Sequence, residues 1–219
     1  MITITVGKYV FQGSNRQELL GLKKEIFNES IYYMNLKSAT PRIIDAGAHV
    51  GLASLYFKQQ WPDAKIVAVE PLPQNAEALR QNIWQNQFKN IEVIEAALST
   101  KEGEQALYFD QSENEWLSVA SFQPGAWDQS QTSEEVKVKT LLLDSLLKQP
   151  VDLLKLDIEG AEIDVLSQAK LLHHIKNIII ELHPPNTPED IFKIFRKTHD
   201  VTIKKHHYDL KLCYVTKKK

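Results

Sequence analysis

Ile43-Ile44-Asp45-Ala46-Gly47-Ala48-His49-Val50-Gly51 decides how this 219-residue chain is read. A short apolar run reaches an aspartate, then a turn of small residues. Leu52-Ala53-Ser54-Leu55-Tyr56-Phe57 follows at helical spacing. Strand, tight glycine turn and helix N-terminus, in that order, open a nucleotide-binding α/β unit.

Outward from this stretch, strands and helices alternate. Arg42 to Ala46 reads as the first core strand and Gly51 to Gln60 as its helix. Lys65 to Glu70 is the second strand, Gln74 to Trp84 a helix, and Ile91 to Ala96 the third strand. Leu153 to Asp157, a helix from Ala161 to Leu172, Asn177 to His183 and a helix from Glu189 to Lys197 continue the alternation. Val201 to Lys205 and Leu210 to Thr216 read as antiparallel strands closing the sheet edge. Runs such as Ile66-Val67-Ala68-Val69 are apolar without alternation, as in a parallel sheet covered on both faces. The stretch Gln105 to Thr140 breaks the pattern with short strand-like pieces, and reads as a β insertion at the rim of a site. Met1 to Phe11 reads as a hairpin and Arg16 to Tyr33 as helical, with Ser14 as candidate cap. Residues 1–40 form an extension or lid, and 41–219 the main domain.

Composition excludes little and permits a sizeable core. The chain is 43% hydrophobic and 25% charged with net charge −2, as expected of a soluble globular protein. Asp190 to Lys219 holds 9 Lys/Arg against 3 Asp/Glu, a local +6, which reads as a solvated face or a basic edge. Cys213 is the one cysteine, so no intrachain disulfide forms, and it reads as a buried strand residue. No signal peptide and no run of the ~20 apolar residues that span a membrane are found. A cytoplasmic protein without a membrane partner is the expectation.

In open α/β sheets, ligands sit beyond the carboxyl ends of the strands. Here those ends carry Asp45, Glu70, Ala96-Ala97, Asp157-Ile158-Glu159-Gly160 and Glu181-Leu182-His183-Pro184. Glu70 stands where a carboxylate accepts hydrogen bonds from ribose hydroxyls and repels a 2′-phosphate. Asp45 replaces the first glycine of a dinucleotide fingerprint and would repel pyrophosphate. It suits a cationic amino group instead, so S-adenosyl-L-methionine fits better than NAD.

Four blocks carry a more specific resemblance: Asp45 to Gly51, Val69-Glu70-Pro71-Leu72-Pro73-Gln74-Asn75, Ile94 to Ser99, and Leu154-Lys155-Leu156-Asp157-Ile158-Glu159-Gly160-Ala161-Glu162. With Ile180-Glu181-Leu182-His183-Pro184, they make the segment from Pro41 to Pro184 similar to the FkbM-family methyltransferases. The resemblance implies a class I, Rossmann-like fold: a mostly parallel seven-stranded sheet with helices on both faces and an antiparallel C-terminal edge strand. It implies S-adenosylmethionine as cofactor and methyl transfer, usually to a hydroxyl. Asp45, Ala46, Gly47, Ala48, His49 and Gly51 would form the methionine and ribose side. Glu70 and Pro71 would follow, Ala96 and Ala97 would lie near adenine, and Asn75 would either join them or cap the next helix. His49 stands where the family often has Asn.

Asp157, Glu159 and His183 are the candidate catalytic groups. Asp157 lies where this fold places residues near the transferring methyl, as the base or as a contact to the substrate or to the cofactor's methionine amino group; His183 has a pKa suited to a base, and Glu159 either caps a helix or lines the pocket. These three could also approach a metal, but the ligand spacing is sparse and no metal is expected. Glu162 reads as a structural residue of the helix start, and Lys155 as a buried cation needing a carboxylate. Tyr32, Tyr33, Trp116 and Ser118 are substrate-wall candidates, with Ser121 and Trp127 beside them. The expected acceptor is a hydroxyl of a small molecule, sugar, glycan or secondary metabolite. N-methylation of a peptide side-chain amide stays open, while nucleic acid is disfavoured because an Asn/Asp-Pro-Pro-Tyr/Phe-type motif and a separate RNA-binding module are missing. A non-catalytic S-adenosylmethionine-binding protein is the rival of another class. Oligomeric state, a homodimer included, stays open.

Overall fold

The computed structural model describes residues 1–110, 120–122, 133–205 and 210–218. β1 (Ile2–Val6) and β2 (Tyr9–Gly13) form an antiparallel hairpin. α1 (Arg16–Lys23) is capped by Asn15, not Ser14. The Asn15 side chain accepts from the N–H of Gln17 at 2.8 Å and of Glu18 at 3.2 Å. The helix widens into a π-helical turn, Lys24–Asn28, and stops before Ser30, which has φ 55. It therefore ends short of Tyr33.

β3 (Arg42–Ala46), α2 (Leu52–Gln60), β4 (Lys65–Val69), α3 (Pro73–Gln85) and β5 (Ile91–Ile94) build one half of the main sheet. Proline at the first turn of α3 costs no hydrogen bond there. The insertion forms a second sheet from β6 (Ala97–Leu98), β7 (Gly103–Asp110), β8 (Ala120–Ser121) and β9 (Ser133–Leu141), in the order β6-β9-β7-β8. α4 (Leu143–Leu146), β10 (Leu153–Leu156), α5 (Glu162–Gln168), β11 (Asn177–Leu182), α6 (Pro188–Phe195), β12 (His199–Lys205) and β13 (Lys211–Lys217) complete the chain.

The main sheet has seven strands in the order β12-β13-β11-β10-β3-β4-β5. From β11 to β5 every pair is parallel. β13 is antiparallel to both neighbours. The last strand is thus antiparallel, as expected, but it lies one place in from the edge, and β12 is the edge. Burial explains the order. Leu212, Cys213 and Val215 of β13 are fully covered, whereas β12 alternates exposed Asp200, Thr202 and Lys204 with partly buried Val201 and Ile203. The charged, alternating strand is the one that tolerates an open edge.

Both faces of the sheet are dry. Ile43 packs with Leu55 and Phe57 on one side. Ile44 packs with Leu154, Leu156 and Ile178 on the other. The N-terminal hairpin and α1 add Ile4, Phe11 and Leu19 to the first cluster. The extension is therefore seated on the main sheet, and the Tyr214 hydroxyl on β13 donates to the Ile31 carbonyl at 2.7 Å. Strand order reverses beside β3, which places a crevice beyond the carboxyl ends of β3 and β10.

Candidate active site

The chain leaves β3 through Gly47 at φ 76. A Cβ there would lie 1.8 Å from the Asp157 carbonyl oxygen, so only glycine lets the ends of β3 and β10 meet. The N–H groups of Gly47 and Ala48 both donate to the Val69 carbonyl, at 2.9 and 3.0 Å. His49 takes φ 49, and its backbone N–H donates to Glu70 Oε2 at 2.9 Å. The turn is thereby clamped to the end of β4.

A cleft opens against this turn. Gly47, Ala48 and His49 form one wall, Glu70 and Pro71 the next, and Ala96 and Ala97 the far side. Asp157 and Glu159 line the end beyond β10. Leu22, Ile26 and Tyr32 reach in from the N-terminal extension, and Phe122 from the insertion.

Glu70 is held by three hydrogen bonds. Besides His49, Leu72 N–H donates to its Oε1 at 3.1 Å and Asn75 Nδ2 at 3.3 Å. A carboxylate offers about four acceptor sites, so about one is left for a ligand hydroxyl. Burial pushes the Glu70 carboxyl up to about 7 despite these bonds. Asn75 thus helps to position Glu70.

Behind the cleft lies a buried ion cluster. Lys155 Nζ donates to the Gly47 carbonyl at 2.6 Å, and lies 3.0 Å from Asp157 Oδ2 and 3.5 Å from Asp45 Oδ1. It also sits 5.5 Å from the centre of the Tyr32 ring. Burial opposes the charge on Lys155, but Asp157 and Asp45 outweigh it, and the ammonium is held above its ordinary range. Asp45 is fully buried and takes a 2.6 Å hydrogen bond from Ser54 Oγ. Burial raises its carboxyl, against the pull of Lys155.

A second cluster stands past β10. His183 is 3% exposed and lies behind the carboxylates, with Nε2 3.3 Å from Glu159 Oε2 and 3.8 Å from Asp157 Oδ1. Its Nδ1 lies 3.0 Å from Glu162 Oε1. Glu162 is itself fixed. Its Oε1 accepts from the N–H of Ile158 at 3.2 Å and of Gly160 at 3.1 Å, and its Oε2 from Asn186 Nδ2 at 2.8 Å. Burial works against a proton on His183, but Glu159, Glu162 and Asp157 win and raise it to about 10. Burial likewise holds the Glu159 carboxyl well above the usual range, though His183 opposes it.

The structure thus sorts the candidate residues. Gly47, Ala48, His49, Glu70, Pro71, Ala96, Ala97, Asp157, Glu159 and Tyr32 share one cleft. Asp45 and Ala46 are fully buried behind it. Asp45 faces Lys155, its register partner on β10, with Nζ 3.5 Å from Oδ1. Ala46 offers its carbonyl to Asp157 N–H at 3.2 Å. Gly51, at φ 100, caps α2 instead of lining the wall, and an added Cβ would meet Leu79 at 2.6 Å. Tyr33 is 57% exposed and outside the cleft, since the turn at Ser30 sends neighbouring side chains apart. Tyr32 points inward and donates to Glu181 Oε2 at 3.2 Å. Trp116, Ser118 and Trp127 lie outside the described residues. Leu22 and Glu18 were not legible as site residues; Glu18 is fully buried, 3.5 Å from His49 Nε2. Asp157, Glu159 and His183 do place one ligand atom each within 4.8 Å of one another, closer than their sequence spacing suggested.

A family model described as the methyltransferase FkbM domain matches residues 45–208. The chain belongs to this family. This FkbM methyltransferase is 29% identical over 192 residues to methyltransferase sdnD of Sordaria araneosa, with 74% of each chain covered. It is 31% identical over 180 residues to methyltransferase 1 of Beauveria bassiana, covering 74% of this chain and 72% of the other. Among solved structures, the FkbM methyltransferase of Methylobacillus flagellatus superposes with TM-score 0.59 at 16% identity. That match covers 87% of this chain but only 47% of the other. The precorrin-6y C5,15-methyltransferase of Geobacter metallireducens superposes with TM-score 0.55 at 14% identity, over 95% and 94% of the two chains. At these identities the superpositions speak for the class I methyltransferase fold. No helix among the described residues is long and apolar enough to cross a membrane.

Proposed function

We propose that this FkbM methyltransferase uses S-adenosylmethionine to methylate a hydroxyl of a small molecule, with Glu159 taking the hydroxyl proton. The residues present fit the cofactor. Neither ring nitrogen of His49, on the cleft wall, has a hydrogen-bond partner among the described residues. Burial lowers the pKa of that ring, which favours a neutral imidazole; Nε2 faces Glu18 at 3.5 Å, which leaves Nδ1 for a polar amino-acid tail. Glu70 keeps an acceptor site for ribose.

When bound, S-adenosylmethionine supplies a sulfonium methyl group: the new C–O bond forms as the C–S bond breaks, and the sulfur leaves as a neutral thioether. What the chain adds is alignment and a proton acceptor. His183 is not that acceptor. At neutral pH it already carries its proton, and it lies behind the wall. It acts as a positioning residue, holding Glu159 and Asp157 through charge while Glu162 fixes its ring. Asp157, pinned by Lys155, orients the acceptor.

The observation that carries this reading is the Glu159 carboxyl group on the cleft wall, 3.3 Å from the buried His183 ring and raised well above its usual range by burial. The test is transfer of a labelled methyl group from S-adenosylmethionine to cell-extract metabolites. Glu159→Gln should lower kcat by about 100-fold or more while cofactor affinity stays within about threefold. Unchanged kcat would remove Glu159 from the role. Tight cofactor binding with no labelled product would favour a non-catalytic binder.

A further inference from the structure

A second cavity opens on the other side of Glu159. It encloses about 260 Å³ and is walled by Ser121, Phe122, Glu159, Asp164, Pro184 and Pro185. Phe122 and Glu159 belong to both this cavity and the cofactor cleft. Glu159 therefore stands where the two spaces meet. The wall draws on three separate parts of the chain: β8 of the insertion, the turn and first residues of α5 after β10, and the turn after β11.

We propose that this cavity is the acceptor site, and that its occupant is a polyhydroxylated small molecule without negative charge. The proposal rests on the methyltransferase reading above and adds the acceptor's location and class. Charge decides the first half. The ionisable groups among the described lining residues, Glu159 and Asp164, are both acids. A phosphate or carboxylate on the ligand would meet like charge at Asp164, whereas hydroxyl donors would meet the carboxyl oxygens of Asp164 and Glu159. Shape and polarity decide the second half. Phe122 and the two prolines give an apolar surface for the C–H face of a ring, and the volume admits a compact body, not an extended chain. A hydroxyl on a ligand held there would face Glu159, the group both spaces share.

The test uses the full chain, methyl-labelled S-adenosylmethionine and a small-molecule extract divided on an anion exchanger. Label should appear in the unretained fraction. Asp164→Lys should raise the amount of that fraction needed for half-maximal rate by about tenfold, with cofactor affinity within about twofold. Asp164 is exposed in the first turn of α5, so this variant should fold, with a melting temperature within about 4 °C of the parent. Phe122→Ala should act in the same direction. Label in the retained, anionic fraction would overturn the proposal and leave the methyltransferase reading standing. Label in the unretained fraction with kinetics indifferent to both substitutions would overturn the assigned location. Cofactor binding without label in either fraction would remove the methyltransferase reading, and the proposal with it.

Discussion

Lys155 Nζ lies 3.0 Å from Asp157 Oδ2 and holds the Gly47 carbonyl at 2.6 Å, so one buried ammonium joins the ends of β3 and β10. Lys155→Met leaves the fully buried Asp45 without its cation. Breaking a buried pair from one side costs about 3–5 kcal/mol, which is roughly 6–20 °C in Tm for a chain of this size. Adding Asp45→Leu should recover part of the loss. A Tm drop under about 3 °C for the single variant would mean the cluster does not hold the strand ends together.

Gly47→Ala should be far worse than Gly7→Ala. Both glycines have positive φ, 76 and 58, but an added Cβ meets a carbonyl at 1.8 Å in the first and nothing within 4 Å in the second. The shared strain is about 1 kcal/mol, and the clash should add about 2 kcal/mol or more. Chemical denaturation of the two variants measures the difference; equal losses would contradict the close approach.

Glu70→Ala should weaken S-adenosylmethionine binding by about 10- to 100-fold, the worth of a hydrogen bond to a charged group plus the loosening of the His49 turn. Calorimetric titration gives the affinity, and circular dichroism checks the fold. Asn75→Ala should act more weakly in the same direction, because it touches Glu70 and not the cleft. Unchanged affinity in Glu70→Ala would end the ribose assignment.

His183→Gln should destabilise the protein in a pH-dependent way. The folded pKa of His183, about 10, lies above the unfolded value of about 6.5. Its contribution is complete below about pH 6.5 and is lost as pH rises through about 10. The Tm gap between wild type and His183→Gln should therefore be widest in mildly acidic buffer and close toward pH 10. A constant gap would indicate a neutral, merely packed imidazole.

The strands were legible because a parallel sheet covered on both faces demands unbroken apolar runs, and Ile43-Ile44 or Ile178-Ile179-Ile180 have no other comfortable place. Glu70 was legible from its register with the glycine turn. What was not legible is depth. Asp45 and Glu70 both end core strands, yet one is sealed behind the turn and the other lines the cleft. His183 reads as a free base in a string of letters, and only the carboxylates packed around it reveal a cation. The places of Leu22 and Glu18 depend on how α1 seats on a sheet formed from distant segments, which local spacing does not encode. The position of β13 inside the edge followed burial along the strand: Leu212, Cys213 and Val215 are covered, whereas β12 alternates polar and apolar residues.

The N-terminal wall of the cleft is tied to late parts of the chain: Tyr32 to Glu181, 149 residues away, and Ile31 to Tyr214, 183 residues away. Such contacts are slow to form, because loop closure must precede their reward. A nascent chain synthesised only as far as α6 can assemble most of the parallel sheet. It has Glu181, the partner of Tyr32, on β11, but lacks Tyr214, the partner of Ile31, on β13. The wall of the cleft at Tyr32 is therefore only as well placed as the pairing of β11 with β13, two strands distant in sequence from the turn they hold.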